Sequence, residues 1–195
     1  MKKILIKSIL AGMMISIGAV TYMNAPPLIG AFMFSIGILT IFQLSLYLFT
    51  GLVPYMNKLR EIPFTLTVLL GNVIGCCLMF LLPSQEASQI LDNKLNDSYL
   101  VMFVSAMLCN VMIYIAVEAK KRKNTILIIL AIASFILCGF NHSIANVCFV
   151  ISSRVFTLDA AILVLISVVG NAVGGMLFRK LVEYANSKDR EKLYS

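Results

Sequence analysis

The sequence contains one histidine, His142, which lies in an unusual place for an ionisable residue. Residues 124–153 contain no lysine, arginine, aspartate or glutamate, yet Asn141, Ser143 and Asn146 surround the histidine at the centre of this run. A neutral imidazole in an apolar segment can donate one hydrogen bond, and a nearby anion favours its protonated form. These residue types therefore favour binding of a small anion, or proton exchange with it. A hydrogen-bonded histidine within a helix interface is the alternative.

A second uncharged stretch, LYLFTG, places Thr50 after Leu48 and Phe49. The Thr50 hydroxyl could donate to the same solute as His142, although a threonine that only bends a helix is the alternative. Leu48, Phe49 and Phe135 would form dry constrictions in a pore, because a hydrated ion does not cross a narrow apolar passage. Core packing is the other interpretation of these three side chains.

Composition indicates an integral membrane protein. Hydrophobic residues make up 60% of the 195 residues, charged residues 13%, and the mean hydropathy is +0.94. Soluble domains are about 45–50% apolar and about 25% charged.

The net charge of +7 comes from basic residues between apolar segments, without a nucleic-acid motif, so no nucleic-acid partner is expected. The five cysteines lack metal-ligand spacing, and without a nucleophile–base pair or a cofactor motif we expect neither an enzyme nor a metal or cofactor site.

Charge and proline divide the chain into six apolar segments. Residues 8–57 contain no charge and are far longer than the about 20 residues that cross a bilayer as a helix. Pro26 and Pro27 divide this stretch, because proline disfavours helix in itself and in its predecessor. The first segment is interpreted as a retained span rather than a signal peptide. The predicted segments, all in a single transmembrane domain over residues 1–195, are 4–23, 28–57, 63–83, 99–117, 125–153 and 160–178.

Basic residues predict the orientation in the membrane. With a cytoplasmic N-terminus, fourteen of the sixteen lysines and arginines fall on the inner side, and only Lys94 and Arg154 fall outside. Cytoplasmic loops carry an excess of these residues. The sequence therefore predicts a multi-pass protein of a bacterial-type inner membrane with both termini in the cytoplasm.

Two related halves are visible in the chain. LLGNVIGCCLMF at 69–80 resembles VVGNAVGGMLFR at 168–179, which predicts inverted repeats over about 4–83 and 99–182. Segments 2 and 5 are too long for one straight crossing, and each carries polar residues and glycine at its middle. Inverted repeats with broken middle segments place a substrate path between the halves, near the bilayer midplane. The predicted fold is therefore an all-α membrane bundle with broken segments 2 and 5.

Each half also contains a Gly-x-x-x-Gly pattern, which lets two helices approach closely. We interpret these four glycines as packing positions, and the asparagine inside each pattern as a side chain that bonds the free backbone of a broken segment. The residues concerned are Gly71, Asn72 and Gly75 in the first half and Gly170, Asn171 and Gly174 in the second.

These stretches together resemble the formate/nitrite transporter family. The resemblance is carried, in chain order, by AGMMISIG, LFTG, GNVIG, LCNVMIYIAV, GFNHSIANV and GNAVGG. It implies an aquaporin-like fold, a homopentamer with one pore per protomer, and passage of small monovalent weak-acid anions such as formate, nitrite or hydrosulfide. It also implies that His142 is the central histidine, with Thr50 and Asn146 beside the pathway. The apolar constrictions then fall on Leu48, Phe49, Phe135, Phe34 and Ile38.

The sequence departs from the family pattern at three positions. Tyr47 replaces an acidic residue, Asn124 stands where an anion-attracting lysine is expected, and Asn141 replaces a glutamate before the histidine. The sequence therefore predicts a membrane channel or transporter for a small anion, linked to a proton through His142. A pore for a small neutral solute and a non-transporting scaffold with the same fold remain as alternatives.

Overall fold

The computed structural model describes the backbone of residues 2–193 and the side chains of residues 2–187. This part of the chain is all-helical, without a strand, as the sequence predicts. Three short 3-10 helices, at Val53–Tyr55, Leu59–Glu61 and Cys77–Leu81, extend or connect the α-helices. The α-helices are α1 (Lys2–Met23), α2 (Pro27–Gln43), α3 (Phe49–Leu52), α4 (Ile62–Cys76), α5 (Gln85–Leu95), α6 (Tyr99–Lys121), α7 (Thr125–Leu137), α8 (Ser143–Ser153) and α9 (Leu158–Leu193).

Both long segments are broken, as predicted. Segment 2 separates into α2 and α3, and segment 5 into α7 and α8. The first helix of each pair ends in the same way, in a Schellman turn. The Leu46 and Phe140 amides donate to the carbonyls of Ile41 and Phe135, each over 3.0 Å. This turn needs a left-handed residue, which is Gly139 with φ +66° in the second half. In the first half the left-handed residue is Ser45, with φ +51°, whose side chain makes this conformation less favourable than it is for glycine.

The two halves also share their helix packing. In the first half α4 packs on α1, and in the second half α9 packs on α6. Gly75 lies against the backbone of α1 at Ile9, and Gly174 lies against the backbone of α6 at Met107. A side chain at either glycine would push two backbones apart, because there is no flexible neighbour to give way. Such a short distance between helix backbones is typical of membrane bundles, where van der Waals packing holds helices together.

The connection between the halves, residues 84–98, lies outside the six predicted segments but is helical over most of its length. It contains α5, which begins where the Ala87 amide donates to the Ser84 hydroxyl oxygen over 3.3 Å. Helix α5 packs against α8 and α9 and buries Ala87, Leu91 and Lys94. Helix α9 also runs beyond the predicted end of segment 6, to Leu193.

Length and hydropathy identify the membrane-crossing helices. Among the described residues, four helical stretches are long and apolar enough to cross a bilayer: Lys2–Met23, Leu59–Leu81, Tyr99–Lys121 and Leu158–Ser187. The apolar helices α2, α7 and α8 are shorter, so the broken segments would cross only as pairs. The count of six crossings therefore stays a prediction.

Candidate functional site

The two broken segments meet through the side chains of Thr50 and His142. The Oγ1 atom of Thr50 lies 3.0 Å from Nε2 of His142, although 92 residues separate them in sequence. Thr50 lies in the first turn of α3, and His142 is the residue that caps the N-terminus of α8. Their exposed fractions are 0% and 1%, so the contact lies inside the protein and joins the two halves.

Local structure fixes the protonation pattern of the neutral histidine. The backbone amide of Ala145 donates to Nδ1 of His142 over 3.1 Å. Because Nδ1 accepts this bond, the single proton of a neutral ring is on Nε2, which donates to the Thr50 oxygen. The hydroxyl proton of Thr50 is then left to donate to another group. One hydrogen-bond donor of the pair is therefore left over, on the Thr50 hydroxyl.

Aromatic rings enclose the histidine. The ring of Phe135 stacks on His142 with centroids 5.6 Å apart and planes at 15°. Phe34 meets Phe135 edge to face, with centroids 6.1 Å apart. All five residues expected to form constrictions are buried, with exposed fractions of 4% or less: Phe34, Ile38, Leu48, Phe49 and Phe135. Of these, the structure places Phe135 in direct ring contact with the histidine.

Asn72 holds the first break. Its Oδ1 accepts from the Phe49 amide over 2.8 Å, which satisfies a free donor at the start of α3. Its Nδ2 donates to the carbonyls of Ser8 and Tyr47 over 2.8 and 2.9 Å. One side chain thus ties the break to both α4 and α1.

Asn171 makes the corresponding bonds at the second break. Its Oδ1 accepts from the Ser143 amide over 2.9 Å, at the start of α8. Its Nδ2 donates to the carbonyls of Ala106 and Asn141 over 2.7 and 2.9 Å. The two asparagines therefore occupy equivalent positions, and each lies between glycines that let the helices approach.

A buried cation reaches the second break from α5. Nζ of Lys94 donates to the Gly139 carbonyl over 2.7 Å and to Oδ1 of Asn141 over 3.0 Å. Burial lowers the pKa of Lys94 from its usual range to about 8, because leaving water disfavours the ammonium. Neither oxygen partner carries a formal charge, so the positive charge of Lys94 is not cancelled by these contacts.

Asn141 and Asn146 belong to a network beside the histidine. Nδ2 of Asn146 donates to Oδ1 of Asn141 over 3.1 Å and to the Ser167 hydroxyl over 2.9 Å. Two buried atoms, Oγ of Ser143 and Oδ1 of Asn146, have no hydrogen-bond partner among the described residues. Buried polar atoms without a protein partner mark places where water or a solute can bind.

A small cavity of about 30 Å³ adjoins the histidine on the side of α5. That volume is about the share of one water molecule in the liquid. Both Lys94 and His142 line it, together with Tyr22, Ile90, Ile136, Gly139, Phe140, Ala145 and Phe149. Sequence reasoning missed Lys94 as a site residue. The signal was available, since it is a cation at a position of α5 that shares one face with Ala87 and Leu91.

The other two departures from the family pattern lie elsewhere. Asn124, where the resemblance implies a lysine, caps the N-terminus of α7. Its Oδ1 accepts from the Leu127 amide over 3.0 Å. The ring of Tyr47 lies 5.1 Å from Nζ of Lys7, so a cation–π contact stands where the family has an acidic side chain.

The described residues contain no group of three or more histidine, cysteine or acidic side chains that could hold a metal ion. Three of the five cysteines are buried, whereas Cys77 and Cys138 are exposed. The Sγ atoms of Cys76 and Cys148 lie 3.3 Å apart as free thiols.

Comparison with known proteins agrees with this architecture. Residues 1–185 match the family model described as formate/nitrite transporter. A structure described as a pentameric formate channel with formate bound is 20% identical, with a TM-score of 0.81 over 95% of this chain and 97% of that one. A second, described as an FNT family ion channel, is also 20% identical, with a TM-score of 0.83 over 94% of this chain and 90% of that one. No curated protein matches the chain. Because the family model covers nearly the whole sequence, the chain belongs to the formate/nitrite transporter family.

Proposed function

We propose that this protein is a membrane passage for small monovalent weak-acid anions of the formate, nitrite or hydrosulfide type, and that passage is linked to a proton at His142. The observation that carries the proposal is the buried contact between Thr50 and His142. It joins the two helix breaks between apolar side chains and leaves the Thr50 hydroxyl as a hydrogen-bond donor for a solute. Family membership and the likeness to a formate channel support the same function.

The proposed resting state uses His142 as a neutral donor. An anion that reaches Thr50 accepts a hydrogen bond from the Thr50 hydroxyl, and the Nε2–H of His142 strengthens that bond by donating to the Thr50 oxygen. Bonds to a charged acceptor contribute about 1.5–3 kcal/mol. The unpaired oxygens of Ser143 and Asn146 add places for a water that travels with the solute.

Proton transfer needs the charged form of the ring. When His142 is protonated, Nδ1 carries a proton and no longer accepts from the Ala145 amide, so the first turn of α8 loses its cap. The anion offsets this cost by its charge, and the face of Phe135 offsets it by a cation–π contact. We therefore propose that the ring takes up a proton only with the anion beside it. Transfer of that proton to the anion yields a neutral acid, which crosses the apolar constrictions.

Lys94 attracts anions towards His142 from the side of α5. Its ammonium group borders the cavity on the side of α5, where we propose that it raises the local concentration of anions. Asn141 leaves this charge free, because its amide oxygen bonds the ammonium without neutralising it. Anions are thus favoured over neutral solutes up to the position of His142.

Orientation and assembly complete the proposal. We propose six crossings, cytoplasmic termini and a homopentamer, supported by the distribution of basic residues and by the pentameric structural neighbour. A cysteine introduced at Asn96, which is exposed beside α5, should react with an impermeant thiol reagent in intact cells. A reaction only after permeabilisation would show that the orientation is the opposite of the one proposed.

Native mass spectrometry tests the assembly. The purified protein should give a pentamer, and a monomer in both detergent and membranes would contradict the proposed homopentamer.

The decisive experiment measures flux in proteoliposomes. Stopped-flow uptake should be fast for formate, nitrite or hydrosulfide, slow for chloride, and faster at lower external pH. Equal passage of urea or glycerol would favour a pore for neutral solutes. Absence of flux for every solute tested would favour a non-transporting scaffold.

A further inference from the structure

A second cavity opens at the predicted inner end, away from Thr50 and His142. It has a volume of about 630 Å³ and lies between the ends of α6 and α9 and the start of α7. Its deepest residues are Tyr114 and Ala119, which are 7% and 2% exposed, and Tyr55 borders it from the first half. Pockets of about 300–1,000 Å³ are the size that holds small organic ligands.

Acidic groups in this cavity are already occupied by protein donors. Glu118 accepts from the hydroxyl of Tyr55 and from Nζ of Lys121, both over 2.6 Å. Glu183 accepts from Nε of Arg179 over 2.7 Å. Each carboxylate is thus paired with one cation, and these pairs do not repel an incoming anion as free carboxylates would.

Basic groups remain available after that pairing. The guanidinium of Arg122 lines the cavity and forms no hydrogen bond or ion pair with any described residue. It lies beside the N-terminus of α7, where Asn124 caps the Leu127 amide and the amides of Thr125 and Ile126 are not bonded within the helix. The positive end of a helix and an unpaired guanidinium together favour a ligand with a negative charge and several oxygen acceptors.

The wall of the cavity is apolar on the membrane side. Ile115, Leu127 and Val182 line it beside the charged groups. The exposed apolar surface continues along α7, where Leu130 is 48% exposed three residues after Leu127. A free anion in water would gain nothing from these side chains, whereas the acyl chains of a lipid would cover them.

From this combination we infer that the cavity binds the phosphate headgroup of an anionic phospholipid, with the acyl chains against α7. Basic pockets between membrane helices on the cytoplasmic side are suited to such headgroups. The bound lipid would connect the start of α7 to the end of α9. This inference rests on the membrane location and not on the proposed transport of anions.

The test compares the parent protein with two variants of equal charge change. Arg122→Gln removes the unpaired guanidinium, and Lys180→Gln removes an exposed cation of α9 that does not line the cavity. Phosphatidylglycerol titrated into phosphatidylcholine nanodiscs should raise the unfolding temperature of the parent and of Lys180→Gln. For Arg122→Gln the half-saturating lipid fraction should rise about fivefold, since one basic residue near such lipids contributes about 1 kcal/mol. Native mass spectra should show one retained phosphatidylglycerol per protomer, and fewer in Arg122→Gln.

Three results overturn the inference. Equal weakening in both variants would indicate general charge attraction to the membrane. Equal stabilisation by phosphatidylcholine alone would show that the headgroup charge is not recognised. Equal stabilisation by millimolar inorganic phosphate without anionic lipid would assign the cavity to a soluble phosphate.

Discussion

Thr50 and His142 share one hydrogen bond of 3.0 Å, although each belongs to a different half of the chain. Each is also held by its own half. The amide of Phe49, the residue before Thr50, donates to Oδ1 of Asn72. Nδ1 of His142 accepts from the Ala145 amide. The contact is therefore set by two independent local structures, and a small shift of either break changes its length.

His142→Asn tests the role of the ring. Asparagine is a good N-cap, so α8 should keep its start, but the side chain cannot titrate near neutral pH. We expect the pH dependence of formate or hydrosulfide flux to differ from that of the parent protein, because this side chain takes up no proton. His142→Phe should abolish flux, because it removes the donor and fills the site with an apolar side chain.

The matched control for His142→Phe is Asn124→Ala. It also removes a cap from a helix of the second half, at a cost of about 0.5–2 kcal/mol, but far from the contact with Thr50. Its unfolding temperature should fall by a similar amount while its flux stays near that of the parent. If both His142 variants carry the anion like the parent across pH 5–8, the histidine is a packing residue.

Thr50→Val keeps the shape of the side chain and removes its hydroxyl. The anion then loses a donor of about 1.5–3 kcal/mol, so anion flux should fall about 10- to 100-fold. Thr50→Ser keeps the hydroxyl and should retain most of the flux. Stopped-flow measurements on the two variants separate a donor role from a role in bending the helix, for which valine would be tolerated better than serine.

We predict that the rate of anion entry from the side of α5 depends on pH through the charge of Lys94. Because burial lowers its pKa to about 8, the side chain is charged below that pH and neutral above it. Attraction of anions should therefore weaken as the external pH rises through 8. Lys94→Gln should lower uptake about tenfold at pH 7, since a charged approach raises local anion concentration by at least that factor.

The comparison with Lys94→Arg isolates this effect from the supply of protons. Arginine stays charged over the whole range, so the ratio of its flux to that of the parent should increase between pH 7 and pH 9. A ratio that stays constant over this range would show that the charge of Lys94 does not control entry.

Gly75→Ala tests the close packing of α1 and α4. The added methyl group would lie against the α1 backbone at Ile9, Gly12 and Met13, so the helices must separate. Overpacking of this kind costs about 1–3 kcal/mol, and the displaced Asn72 would lose its bonds to the first break. Gly51→Ala is the control, because its methyl group would meet only a side-chain carbon of Val117 at 3.8 Å. Lower folded yield and unfolding temperature are expected for Gly75→Ala, with little change for Gly51→Ala; equal behaviour of the two would refute the packing role.

Much of the fold follows from the sequence. Charge-free stretches and prolines located the apolar segments, and excess length together with central polar residues predicted both breaks. These signals are local, because proline and glycine act on their own backbone. The left-handed Ser45 that ends α2 carries no comparable signal, since serine has no preference for that conformation.

The candidate site was only partly predictable. His142 and Thr50 were found because polar residues in apolar segments are costly and therefore conspicuous. Lys94 was not, because it lies in a polar stretch where a lysine is ordinary. Its burial depends on how α5 folds back onto the second break, which is a tertiary contact.

The bonds of the two asparagines have a consequence for how the molecule can be assembled. All three partners of Asn72 lie in the first half, and all three partners of Asn171 lie in the second. Each half therefore contains what it needs to fasten its own break. A gene divided after Pro83 should yield two fragments that insert separately and join when co-expressed, whereas each fragment alone keeps an unpaired Thr50 or His142. The contact between Thr50 and His142 thus forms only after both halves have been made and have come together.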